Sequence, residues 1–168
     1  MLTLLDYLGT FAFGLSGAIV AVEKKMDIVG VLILSTFTGI GGGILRDVVL
    51  GNTPPIAFLT HHYFIVLIAS GFFVFFFYKK LKGFEPLIVI LDALGLGVFT
   101  LIGIEKALLA SDNLNQPLPL LSVILIGIMT ATFGGLLRDV LANRVPFILK
   151  KEIYASACFL GGILFFLT

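Results

Sequence analysis

Residues 39–47 read Gly-Ile-Gly-Gly-Gly-Ile-Leu-Arg-Asp, and residues 134–139 read Gly-Gly-Leu-Leu-Arg-Asp, each after a long apolar run. Glycine weakens a helix, and an arginine–aspartate pair is expensive in lipid. A chain that carries both features twice uses them for more than anchoring. The surrounding composition makes lipid the solvent. Of the 168 residues 59% are hydrophobic and 12% charged, and the mean hydropathy is +1.15. A soluble domain carries about a quarter charged residues. The net charge of +1 points to neither nucleic acid nor an acidic partner.

Windows of about 20 apolar residues can be placed six times, over 3–22, 28–50, 62–78, 86–105, 118–142 and 147–167. Breakers separate them: Glu23-Lys24-Lys25, Thr53-Pro54-Pro55, Lys79 to Lys82, Asn113 to Pro119, and Asn143 to Pro146. The expectation is an all-α membrane protein. No basic segment precedes the first apolar run, so it reads as a helix and not as a cleaved signal. Cys158 is the only cysteine and stands in an apolar run, which excludes a disulfide framework and a cysteine metal site.

The two halves align. Asp6, Gly9, Phe13 and Gly17 correspond, 86 positions on, to Asp92, Gly95, Phe99 and Gly103. After an insertion the offset is 92, and Gly42, Gly43, Leu45, Arg46, Asp47, Val48 and Pro54 match Gly134, Gly135, Leu137, Arg138, Asp139, Val140 and Pro146. This divides the chain into a first repeat over 1–83 and a second over 84–168. Three spans per repeat is odd, so the second copy enters the membrane inverted, as in many transport proteins. Leaving out Arg46 and Arg138, eight Lys and Arg residues fall on one side and Lys106 alone on the other. The positive-inside rule then puts the N-terminus outside.

In the second span Gly39, Gly41, Gly42 and Gly43 fall near mid-membrane and are expected to bend or open the helix. Gly134 and Gly135 repeat this in the fifth span, with Thr38, Thr130 and Thr132 nearby as oxygen donors to freed backbone or to an ion. Close helix packing is the competing use, since Gly39 and Gly43 form a small-xxx-small pair. Gly39, Gly42, Gly43 and Arg46 share a helical face by spacing. Neighbouring residues point about 100° apart on a helix, so Arg46 with Asp47, and Arg138 with Asp139, are not expected to bridge each other. The expected pairs are Asp6 with Arg46 and Asp92 with Arg138, acting either as structural fasteners or as charged constrictions. His61-His62 is expected in an exposed loop, and Glu105-Lys106 as the solvated end of the fourth span. No HExxH, P-loop or nucleophile elbow occurs, so an enzyme and a bound cofactor are not expected. The residues alone leave the sign of a permeating ion open.

With this doubled motif and six spans, the chain resembles the trimeric intracellular cation (TRIC) channel family, in its prokaryotic branch. That resemblance implies a homotrimer with one pore per protomer, permeable chiefly to potassium and lined by the second and fifth helices kinked at their glycines. It implies no structural metal. The Lys-Glu-Val motif of the animal members is replaced here by Gly-Ile-Gly-Gly-Gly, and the family's seventh helix is absent from these 168 residues. A transporter of a small zwitterion such as glycine is the alternative: it would use the same inverted repeat, with an arginine for the carboxylate.

Overall fold

The computed structural model describes residues 2–81, 86–112 and 117–150, all helical or in short connections. The helices are α1 (Leu2–Glu23), α2 (Ile28–Val49), α3 (Ile56–Leu59), α4 (His61–Leu81), α5 (Pro86–Ser111), α6 (Leu120–Leu141) and α7 (Phe147–Lys150). Five of them, α1, α2, α4, α5 and α6, are long and apolar enough to cross a membrane. Of the expected sixth span, the described residues include only its first turn, α7; positions 151–168 lie outside them.

Two boundaries differ from the sequence reading. The fourth span passes straight through Glu105-Lys106 and ends at Ser111, because Ala107 to Ala110 are good helix formers and supply no stop signal. His61-His62 is exposed but opens α4, after a short α3 that the proline pair introduces.

Helices α1, α2, α5 and α6 form the centre: α1 packs on α2 and α5, α5 on α6, and α2 crosses α6. Helix α4 lies outside against α1 and α2. Its outer face is a run of exposed rings, with Phe72 stacked on Phe76 and Phe73 on Phe77. Helices α1 and α5 run antiparallel, since Gly9 meets Phe99, Phe13 meets Gly95, and Ser16 meets Asp92.

The contacts come in matched pairs. A Cβ on Gly42 would lie 2.0 Å from the Thr130 carbonyl oxygen, and one on Gly134 would lie 2.2 Å from that of Thr38. Those four positions are each other's counterparts at the offset of 92. Gly17 likewise sits against Thr38, and Gly103 against Thr130. The glycines therefore bring backbone onto backbone where α2 crosses α6. Both helices run unbroken through their glycines. The threonine hydroxyls donate to their own helices four residues back, Thr38 to Leu34, Thr130 to Ile126 and Thr132 to Ile128, at 2.6–2.8 Å. The single glycine face expected in α2 divides in space. Gly39 abuts Leu67 of α4, Gly42 abuts α6, and Gly43 has only the Arg46 guanidinium near it.

The ends of α2 and α6 are also alike. Leu50 N–H donates to the Arg46 carbonyl, and Ala142 N–H to that of Arg138. One residue further on, Gly51 (φ 76°) and Asn143 (φ 51°) take the left-handed conformation that ends a helix. Asp27 caps the start of α2, its carboxylate accepting the Gly30 N–H at 2.8 Å.

Because a Cβ at the crossing meets rigid backbone, Gly42→Ala or Gly134→Ala should lower the melting temperature in detergent, with a loss of about 1–3 kcal/mol. Gly97→Ala, where the space is open, should leave it unchanged or slightly raised. Equal melting of all three would show that the crossing is not under this constraint.

Candidate functional site

The crossing places the last turns of α2 and α6 at opposite ends of the bundle. Along α1, Asp6 at one end and Ser16 near the other are about 15 Å apart at 1.5 Å per residue. Each end holds a buried arginine: Arg46 is 2% exposed and Arg138 1%. A guanidinium cannot be deprotonated at such depth, so it must be paired.

Both arginines are held by their own neighbours, contrary to the expectation from helical angles. Arg46 Nε donates to Asp47 Oδ1 at 2.9 Å, and its Nη2 lies 2.7 Å from the same oxygen. Arg138 makes a bidentate pair with Asp139, Nε to Oδ1 at 2.9 Å and Nη2 to Oδ2 at 3.2 Å. The arginine side chain is long enough to curl round the helix circumference, and its planar fork makes two parallel bonds to Asp139 and converges on a single oxygen of Asp47. The second aspartate oxygen ties down the connection that follows: Asp47 Oδ2 accepts the Ile56 N–H at 3.0 Å, and Asp139 Oδ2 the Phe147 N–H at 2.9 Å. These are the first residues of α3 and α7. The Arg-Asp motif thus joins a buried cation to a strap over each end.

The interhelical pairs come out unequal. Arg138 Nη1 lies 2.5 Å from Asp92 Oδ1 and also donates to the Ser16 hydroxyl. Ser16 in turn donates to Asp92 Oδ1 at 2.7 Å. The expected Asp92–Arg138 bridge is therefore present, closed by a serine from α1. The expected Asp6–Arg46 bridge is not formed. Asp6 instead accepts the Tyr63 hydroxyl of α4 at 2.6 Å, while facing the same cavity as Arg46. Sequence reading missed Ser16 and Tyr63 as partners. Ser16 carried a faint signal, because its counterpart 86 positions on is Ile102 and the repeat fails there.

Each cluster borders a small cavity of about 20 Å³, room for a water molecule. Asp6, Thr10, Gly43, Arg46, Tyr63 and Phe99 line the first, under Ile56 and Ala57 of the α3 strap. Asp92, Thr132, Gly135, Arg138, Asp139 and Phe13 line the second, under Phe147 and Ile148. Of the expected pathway residues, Gly43, Gly135 and Thr132 reach cavity walls, as does Gly39 at the first. Gly41, Gly42, Gly134, Thr38 and Thr130 are consumed by helix contacts and line neither cavity. Among the described residues no cluster of His, Cys, Asp and Glu is arranged to hold a metal ion.

Five apolar spans around paired buried charges define a multi-span helical membrane protein. A family model described as "Glycine transporter" matches residues 3–79 and 89–168. The UPF0126 inner membrane protein YadS of Escherichia coli K12 is 37% identical over 160 residues, covering 95% of this chain and 74% of that protein. YvgT of Bacillus subtilis is 40% identical over 163 residues, covering 96% and 77%. A UPF0126 membrane protein of Vibrio cholerae is 39% identical over 164 residues, covering 97% of this chain and 66% of that one. Among solved structures, the TRIC trimeric intracellular cation channel orthologue from Rhodobacter sphaeroides superposes with a TM-score of 0.88 at 39% identity, covering 96% of this chain and 80% of that one. A prokaryotic TRIC channel in 0.5 M KCl gives 0.91 at 39% identity, covering 99% and 83%. The chain belongs to this UPF0126, glycine-transporter-type family, the prokaryotic branch of the TRIC channels.

The unequal pairing has a measurable consequence. Asp92→Asn strips one carboxylate from a buried guanidinium and should destabilise the protein by about 3 kcal/mol. Asp6→Asn keeps an acceptor for Tyr63 and should lower thermal stability far less. Comparable losses in the two melting curves would mean that Asp6 carries a direct bridge to Arg46.

Proposed function

We propose that this protein is a passive cation channel, permeable to potassium, with a pathway inside each protomer of a homotrimer. The reading takes the two cavities as the mouths of one pathway between α2 and α6, with the first repeat over 1–83 and the inverted second over 84–168. It keeps the N-terminus outside, so that the Arg46 cavity opens outward and the Arg138 cavity inward.

One observation carries the sign of the ion. Each buried arginine is accompanied by two carboxylates, Asp6 and Asp47 at one end and Asp92 and Asp139 at the other. Two carboxylates stand beside one guanidinium in each cluster, with Lys106 the further cation acting on Asp6 at the first. A pair of carboxylates at a narrow, poorly hydrated opening favours cations over anions. The channels that this chain resembles in structure point the same way. Gly43 and Gly135 keep the walls bare beside the arginines, and Thr10 lines the first cavity and Thr132 the second. Bending at the glycines of α2 and α6 would open the passage alongside their crossing.

The glycine-transporter reading needs an arginine free to take the substrate's carboxylate. Both arginines already hold carboxylates of the protein itself, which disfavours it.

In reconstituted liposomes the protein should carry a potassium current that is ohmic and indifferent to a glycine gradient. Asp6→Lys, which replaces an anion by a cation at the outer mouth, should move the reversal potential in a KCl gradient toward that of chloride. Saturable glycine uptake without current would replace the channel by the transporter.

A further inference from the structure

The two cavities do not meet. Between them lies an apolar cluster whose centre is a pair of phenylalanines, one from each half of the chain, with ring centroids 5.4 Å apart. Phe13 forms part of the wall of the Arg138 cavity, and Phe99 part of the wall of the Arg46 cavity. They are repeat counterparts, and each ring covers the glycine of the opposite helix: Phe13 covers Gly95, and Phe99 covers Gly9. A Cβ at Gly95 would fall 2.3 Å from the Phe13 ring, so the ring is seated flush on bare backbone. Leu96 and Ala131 complete the second cavity's apolar side. Along α1, Phe13 stands about 10 Å from Asp6 and about 5 Å from Ser16, between the two charged ends.

The geometry points to Phe13 and Phe99 as the constriction of the pathway, a two-ring septum on α1 and α5 that separates the outer from the inner cavity. This rests on the channel reading above and adds to it. The charged groups at the mouths select the ion, and the rings decide whether it passes. A cation in either cavity keeps carboxylate and hydroxyl oxygens around it. At the septum it finds only ring faces and methyl groups, where a narrow apolar segment excludes water and so blocks conduction. Passage requires the rings to part, and the glycines beneath them leave no Cβ in the way of that rotation.

The test combines potassium flux with thiol accessibility in liposomes of known orientation, in a Cys158→Ser background. Gly43→Cys and Gly135→Cys place a thiol on each cavity wall at the two positions where a Cβ has only the arginine near it. The probe is the silver ion, a small thiol-reactive monovalent cation. With both rings present, silver added on the N-terminal side should modify the Gly43→Cys protein at least about tenfold faster than the Gly135→Cys protein, a barrier difference of about 1.4 kcal/mol. Silver added on the other side should reverse the order. Phe13→Ala with Phe99→Ala should abolish that asymmetry and raise potassium flux by a similar factor, whereas Val123→Ala, a buried truncation away from the cavities, should change neither. Where the double variant does not fold, each single alanine variant should show a smaller rise in the same direction. Unchanged flux and asymmetry in folded alanine variants would overturn the septum and leave the channel reading standing. Loss of the silver asymmetry without potassium flux in any variant would keep the septum and remove the channel reading.

Discussion

Everything in this molecule depends on how closely α2 and α6 approach. At the crossing the Gly42 backbone meets the Thr130 carbonyl and the Gly134 backbone meets that of Thr38, at separations no side chain would permit. Lipid provides no hydrophobic drive between helices, so contact of this kind, with its dispersion and carbonyl-to-backbone proximity, is what holds two spans together. Because the two glycines are repeat counterparts, the crossing is symmetric. The last turns of the two helices, each with its buried arginine, are thereby sent to opposite ends of the bundle.

The arginines then dictate their surroundings. A guanidinium a few per cent exposed must find carboxylates, and each finds the aspartate next to it in sequence. That aspartate's other oxygen fixes the start of α3 or α7 over the cavity, so burial of one charge also positions a strap. By contrast, the Glu23–Arg144 pair, with both side chains 32% exposed, contributes at most about 1 kcal/mol. It tethers the end of α1 to the connection after α6 without carrying the fold.

The repeat was written in the sequence as matched letters, and the fold turns those letters into contacts. Gly9, Phe13 and Gly17 face Phe99, Gly95 and Thr38, and their counterparts do the same from the other side. The spans were legible because apolar length is a one-dimensional property. The exact end of α5 was not, because a lone Glu-Lys pair is tolerated inside a helix when good helix formers follow it. The cavity-facing roles of Gly43 and Gly135 could not be told from the packing roles of Gly42 and Gly134. One position of rotation separates the two, and only the neighbouring helix decides which faces it.

The sequence by itself determined a multi-span helical membrane protein in two related halves, with two arginines that had to be paired. Hydropathy, residue spacing and the energetics of charge in lipid are enough for that. Which acid pairs with which base was decided by tertiary structure. Asp92 reaches Arg138 with the help of Ser16, whereas Asp6 is taken by Tyr63. The chemistry of the two aspartates is the same, and their partners differ because a hydrogen bond is won by the nearest donor. Nearness across helices is set by how the bundle packs, which no local spacing encodes.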